Sequence, residues 1–255
     1  MNKIIQGDCL EVMKSIPDKS IDMVLTSPPY DNLRDYKGYT FNFEGIAQEI
    51  YRVLKDGGVC VWIVGDATIK GSETGTSFRQ ALYFKEIGFN LHDTMIWYKT
   101  NPMPYIKKNC YTPCFEYMFV FSKGTPKTTN ILREPSKYAG KVIQTNTTNP
   151  ESMMRYRGRK ATLPTKIRHN IFKYVVAGTN YGHPAIFPEK LAEDHILSWS
   201  NEGDTILDPM AGSGTTLKMA KKNNRNYIGI EIAPEYIEII KKRLEIIKSV
   251  NNSLT

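Results

Sequence analysis

Apolar runs and polar breaks alternate along the chain in the rhythm of strands and helices. Lys3 to Gln6 reads as a short strand ending at Gly7-Asp8, and Leu10 to Ile16 has helical spacing. Ile21 to Leu25 is apolar with one polar break, which predicts a strand buried inside a sheet. Phe43 to Leu54 carries apolar residues at the helical period and meets a stop at Lys55-Asp56-Gly57-Gly58. Val59 to Val64 is continuously apolar, the pattern of a parallel strand covered on both faces. After a Gly/Ser/Thr-rich connection from Gly71 to Gly75, Ser77 to Ile87 predicts a helix closed by Gly88. Thr94 to Lys99 and Glu116 to Ser122 are two more strands. Only a loop joins them, so antiparallel neighbours at one sheet edge are the simplest arrangement. Pro188 to Trp199 is helical, and the remainder repeats strand, helix, strand, helix.

This alternation makes the chain α/β: a doubly wound, mostly parallel sheet with an antiparallel edge hairpin. Its 255 residues suffice for one sizeable domain carrying an inserted lobe. From Gly124 to about Gly182 the pattern fades into Thr, Asn, Lys and Arg. Charge changes the picture there. Between Lys123 and Lys173 stand twelve Lys and Arg against two acids, whereas the rest of the chain has 22 against 24, so one segment carries the net charge of +8. Such a concentration suits contact with a polyanion. The expected division is a main domain of 1–123 and 181–255 around an inserted recognition region, 124–180. The four cysteines form no CxxC pair and have no nearby ligand histidines, so reduced thiols are expected, with neither a metal site nor disulfides. No run approaches ~20 uninterrupted apolar residues, and the N-terminus has no apolar signal core. A cytoplasmic protein away from membranes is expected.

The first candidate chemistry follows the Ile21–Leu25 strand, at Thr26-Ser27-Pro28-Pro29-Tyr30. Two prolines end a sheet ladder, because neither has an N–H and both fix φ near −65°. A hydroxyl (Ser27), a carbonyl (Pro28) and an aromatic ring (Tyr30) are left close together. Such a group can stack on a flat ring while two acceptors take hydrogen bonds from an exocyclic amino group, as enzymes that modify an extruded base require. The polar and aromatic run 31–43 reads as a mobile loop over this site.

The second is Thr205-Ile206-Leu207-Asp208, a strand, followed by the small-residue loop Pro209-Met210-Ala211-Gly212-Ser213-Gly214-Thr215-Thr216 that opens the helix Leu217–Lys222. Glycines let the backbone approach a ligand, and N–H groups at a helix start favour polar or anionic groups. Tyr227 to Glu231 is a strand ending in an acid 23 residues after Asp208, the place and spacing at which an acid takes the ribose hydroxyls of an adenosine-containing cofactor. The loop lacks the Gly-Lys-Ser/Thr of a phosphate-binding loop, which disfavours ATP hydrolysis. A dinucleotide and S-adenosylmethionine both remain open on this stretch alone.

Together the two stretches resemble the amino-directed DNA methyltransferases, which modify N4 of cytosine or N6 of adenine. The cofactor loop of that family, Asp-Pro-Phe-Ala-Gly-Ser-Gly-Thr-Thr, is matched from Asp208 to Thr216 with Met210 in place of Phe. Its catalytic motif, Asp/Asn/Ser-Pro-Pro-Tyr/Phe, is matched by Ser27 to Tyr30. The catalytic motif comes first and the basic insert lies between, which resembles the permuted β-type order. Gly7-Asp8, Trp97-Tyr98-Lys99, His183-Pro184 and Phe187-Pro188 fit as well.

The resemblance implies a circularly permuted, Rossmann-like S-adenosylmethionine fold acting on double-stranded DNA. Ser27, Pro28, Pro29 and Tyr30 would be catalytic. Asp208 to Thr216, Glu231, Asp8 and Phe187 would hold the cofactor, with Asp8 serving alternatively as a helix N-cap. Arg34, Arg155, Arg157, Arg159, Lys160, Lys166 and Arg168 are the candidates for DNA contact. Ser27 preceded by Thr26, and Arg34-Asp35-Tyr36 beyond, are most like the cytosine N4 group; adenine N6 is the alternative. The resemblance also implies a monomer or homodimer at the nucleoid, with a possible cognate restriction endonuclease. A C5-cytosine enzyme would need a Pro-Cys nucleophile; the one Pro-Cys pair of the chain, Pro113-Cys114, lies in the loop before the Glu116–Ser122 strand and not at the Ser27–Tyr30 turn, so that chemistry is disfavoured. A catalytically idle nucleic-acid binder is a reading from another class, and a nicotinamide-dependent oxidoreductase leaves the Pro-Pro-Tyr turn unexplained.

Overall fold

A computed structural model describes residues 2–29, 41–103, 110–148, 155–176 and 187–252. In chain order the elements of the first part are β1 (Lys3–Gln6), α1 (Cys9–Met13), β2 (Ile21–Thr26), α2 (Phe43–Val53), β3 (Leu54–Val64), the two-residue strands β4 (Thr68–Ile69) and β5 (Ser72–Glu73), α3 (Thr76–Glu86), β6 (Asn90–Lys99) and β7 (Phe115–Ser122). Then come β8 (Arg133–Pro135), β9 (Val142–Thr148), β10 (Arg155–Ala161), β11 (Thr165–Ile167), β12 (Ile171–Tyr174), α4 (Glu189–Trp199), β13 (Thr205–Asp208), α5 (Thr215–Lys222), β14 (Asn226–Glu231) and α6 (Pro234–Asn252).

Eight strands form one sheet in the order β1-β14-β13-β2-β3-β7-β6-β12. Only β7 runs against the others, pairing antiparallel with β3 and β6. Side chains alternate across the pleat. Val24, Cys60, Trp62, Phe119 and Phe121 point into a core shared with residues of α1, α2 and α3. α4, α5 and α6 pack against one another in a separate layer, and Met23, Leu25, Val61 and Ile63 are fully buried. The helices therefore cover both faces, as a mostly parallel sheet requires.

The strand order fixes where a ligand can enter. From β2 the chain winds outward to β3, whereas from β13 it winds the opposite way to β14, which lies beside the first strand, β1. The reversal falls between β13 and β2, and the crevice of an open α/β sheet lies at the carboxyl ends of the strands flanking such a reversal. Those ends are Asp208 and Thr26.

Several boundaries differ from the sequence reading. The Gly57-Gly58 pair does not stop α2: the helix ends at Val53, Leu54 is already extended and pairs with Ile21, and the glycines form an irregularity before Val59 pairs with Met23. Gly57, at φ 80°, lies against the Lys127 side chain. α1 stops at Met13 and not Ile16, β6 begins at Asn90, and α5 begins at Thr215. The β6–β7 pair is antiparallel as expected, but β12 adds outside β6 as the edge strand.

Residues 131–169 form a second compact unit. It lies inside the stretch 124–180 that composition marks off, whose residues Ile171–Tyr174 instead join the large sheet. Within the unit, β9 and β10 pair antiparallel along their full length, β8 pairs with β11, and Arg133 donates to the Thr165 hydroxyl and carbonyl at 2.9 Å each. Among the described residues no helix is long and apolar enough to cross a membrane, and no three His, Cys, Asp or Glu gather as metal ligands.

Candidate active site

β2 delivers Thr26, Ser27 and Pro28 to the crevice, and β13 delivers Asp208. Thr26 is fully buried, and its Oγ1 donates to Asp208 Oδ1 at 2.8 Å. The same carboxylate oxygen accepts the Met210 N–H at 3.2 Å. Across the other side, Thr216 Oγ1 donates to the Leu25 carbonyl at 3.2 Å. The turn after β2 and the glycine loop, so distant in sequence, are stitched at two points. Pro28 is buried, whereas Ser27 and Pro29 are half-buried. Tyr30 and Arg34 lie outside the described residues, as do most of the 31–43 run and His183-Pro184.

Asp208 is 1% exposed. Burial pushes its carboxyl up to about 6, although hydrogen bonds from Thr26 and the Met210 amide favour the charged form. Glu231, at the end of β14, accepts the Gly212 N–H at 2.7 Å and the Ala233 N–H at 2.9 Å on its two oxygens. Burial raises this carboxyl too. One acid thus already holds the glycine loop that it adjoins, while each oxygen keeps a second lone pair for a ligand.

The Gly7 N–H donates to the Glu231 carbonyl at 3.0 Å, which brings Asp8 beside β14. Asp8 is exposed, and its Oδ1 caps α1 by accepting from Leu10 and Glu11 at 2.9 and 3.1 Å. Phe187 is half-buried just before α4, and Met210 packs half-buried against the core. Pro209, Ala211, Ser213, Thr215 and Thr216 are buried, and Gly212 and Gly214 take positive φ. A side chain at Gly214 would meet Ile240 of α6 at 2.9 Å. A small-residue loop at a helix start, flanked by strand-end acids, fits an adenosine-bearing cofactor.

Burial pushes Cys9 up to about 12 and raises Cys60 further, so neither forms a ready thiolate.

Two residues escaped the sequence reading. Thr26 sat in the motif without a role of its own, and its mate is 182 residues away. Arg243 is 2% exposed, and its Nη1 donates to the Ser213 carbonyl, the Ser213 hydroxyl and the Thr215 hydroxyl at 2.7, 2.8 and 3.2 Å. The available signal was a base on the helix face defined by the buried Ile237, Ile240 and Leu244.

Of the basic candidates, Lys160 is exposed, Arg168 is half-buried, and Lys166 lies 2.9 Å from Glu134. Arg155, Arg157 and Arg159 stand on β10, with their side chains outside the described residues.

The sequence model of the N6/N4 DNA methylase family matches residues 21–242. The chain belongs to that family. Among its relatives, the orphan methyltransferase M.BamHII of Bacillus amyloliquefaciens is 55% identical over 243 residues, 91% of each chain. Type II methyltransferase M.HpaI of Haemophilus parainfluenzae is 30% identical over 256 residues, 95% of this chain and 74% of that one. The fold is shared with PvuII DNA methyltransferase (cytosine-N4-specific), at a TM-score of 0.71 and 23% identity over 95% of this chain and 86% of that one. It is shared as well with a DNA modification methylase of Thermus thermophilus, TTHA0409, solved in complex with S-adenosyl-L-methionine, at a TM-score of 0.65 and 24% identity over 96% and 95% of the two chains.

Proposed function

We propose that this DNA methylase transfers a methyl group from S-adenosylmethionine to the N4 amino group of a cytosine extruded from double-stranded DNA. The observation that carries the reading is the Thr26–Asp208 hydrogen bond, because it holds the Ser27-Pro28 acceptors against the strand that starts the cofactor loop. When bound, the cofactor supplies an electrophilic sulfonium methyl. Asp208, the 209–216 loop, Glu231, Asp8 and Phe187 are the residues proposed to hold it.

The chain's own part is positioning and electrostatics. The amino nitrogen of cytosine is a poor nucleophile, since its lone pair is delocalised into the ring. Ser27 Oγ and the Pro28 carbonyl accept its two N–H bonds and favour tetrahedral geometry, which returns the lone pair to nitrogen. Tyr30 stacks on the base. The nitrogen becomes acidic as it gains the methyl, so no strong base is needed. Ser27, in place of the acid found in other members of the motif, favours cytosine.

The test is mass spectrometry of nucleosides from DNA incubated with the protein and labelled S-adenosylmethionine. Label in N4-methylcytosine, reduced by about 10²–10³-fold in Ser27→Ala, is the expected result. Label in N6-methyladenine keeps the mechanism and moves the base. Cofactor binding without label in either, across DNA of all sequence contexts, favours the idle binder.

A further inference from the structure

The glycine loop is held from outside itself. Gly212 and Gly214 have φ of 51° and 78°, the left-handed region, where glycine carries the greatest freedom to be lost on ordering. Gly214 opens α5 without a side-chain cap. Arg243 of α6 supplies what the loop lacks, gripping the Ser213 carbonyl and hydroxyl and the Thr215 hydroxyl with one guanidinium nitrogen.

Its other terminal nitrogen, Nη2, donates to Glu189 Oε1 at 2.8 Å. Lys218 meets the same oxygen at 2.6 Å. Burial by itself raises the Glu189 carboxyl, and the hydrogen bonds from Lys218 and Arg243 more than offset it, holding the group below its ordinary value. Glu189 is the first residue of α4, two positions after Phe187. A single buried guanidinium therefore bridges the start of α4 and the 213–215 loop. Phe187 and the 209–216 loop are both among the residues proposed above to hold the cofactor.

We propose that Arg243 is a positioning residue for the cofactor cleft, setting the separation of the Ser213–Thr215 loop from the Phe187–Glu189 segment with Glu189 as its anchor. The proposal rests on the cofactor reading above. Arg243 acts through the groups it holds and takes no part in the transfer itself. The planar fork is what the arrangement needs: it reaches two walls in fixed directions. A lysine ammonium keeps the charge as a single point on a flexible stem and can serve one wall at a time. Arg243→Lys thus leaves the buried charge near its partners while releasing the span between the walls.

The experiment is isothermal titration of S-adenosylmethionine into the full-length wild type, Arg243→Lys and Glu189→Gln, paired with steady-state kinetics on DNA. In Arg243→Lys the cofactor Kd rises about tenfold, the equivalent of one charge-assisted hydrogen bond. The KM for cofactor rises with it. In contrast, kcat at saturating cofactor and KM for DNA change by less than about threefold, the pattern of lost binding with intact transfer. Glu189→Gln moves the cofactor Kd in the same direction by a smaller factor. A wild type that binds cofactor together with an Arg243→Lys that binds it equally well overturns the proposal. If Arg243→Lys fails to fold by circular dichroism, Glu189→Gln decides by the same criterion. A wild type that does not bind the cofactor removes the cofactor reading, and this proposal falls with it.

Discussion

At the scale of single residues, Asp208 shows how burial and hydrogen bonding compete over one carboxylate. Its folded-state value of about 6 lies above the ordinary 3.8, so the folded protein binds a proton that the unfolded chain has released between those two values. The group's contribution to stability is fully present below pH 4 and is lost as pH rises through 6. Asn at this position keeps an acceptor for Thr26 and Met210 but does not titrate. Urea unfolding of wild type and Asp208→Asn should therefore diverge between pH 4 and 7, with the wild type losing about 3 kcal/mol relative to the variant. A constant difference across that range would mean that Asp208 ionises normally. The residue was legible in the sequence from its motif; its burial and its tie to Thr26 were not, because a contact spanning 182 residues leaves no local pattern.

At the scale of elements, the packing of α5 on β14 is set by Gly229. A Cβ built there lies 2.3 Å from Leu217 Cδ2, a distance no real pair occupies. Gly229→Ala should cost about 1–3 kcal/mol as overpacking, and Leu217→Ala in the same chain should recover part of that loss even though it opens space on its own. Chemical denaturation of the two single variants and the double variant measures the coupling. β2, β13 and β14 were readable because strands buried on both faces are written as apolar runs. β12 was not: Ile171-Phe172-Lys173-Tyr174 turns only Phe172 and Tyr174 inward and lies in a basic stretch. Gly57-Gly58 imitated a helix stop because paired glycines mark any sharp change of backbone direction, and here that change falls inside β3.

At the scale of the whole molecule, the basic charge of residues 123–173 predicts how binding to DNA responds to salt. Each phosphate neutralised contributes a slope of about −0.9 in log affinity against log salt. Arg155, Arg157 and Arg159, replaced together by Gln, should flatten that slope by up to about 3 in fluorescence anisotropy titrations on duplex DNA. A slope equal to that of the wild type would take β10 off the binding surface. Composition marked the region because charge survives without any periodicity. The four short strands of the second unit, 131–169, were hidden because their residues are largely polar and follow no alternation that a core would impose.

The reversal of winding between β2 and β13 also has a consequence for how the chain is made. β2 acquires β3 early in synthesis, but its other neighbour arrives only when β13 has emerged, 182 residues after Thr26 by the time Asp208 appears. At ordinary translation speeds that interval is on the order of ten seconds. Throughout it the nascent chain carries the Ser27-Pro28-Pro29 turn on an unpaired strand edge, without the Asp208 partner of Thr26. Completion of the site is therefore a late, long-range event, and a ribosome stalled anywhere before β13 displays an aggregation-prone edge but no methylase.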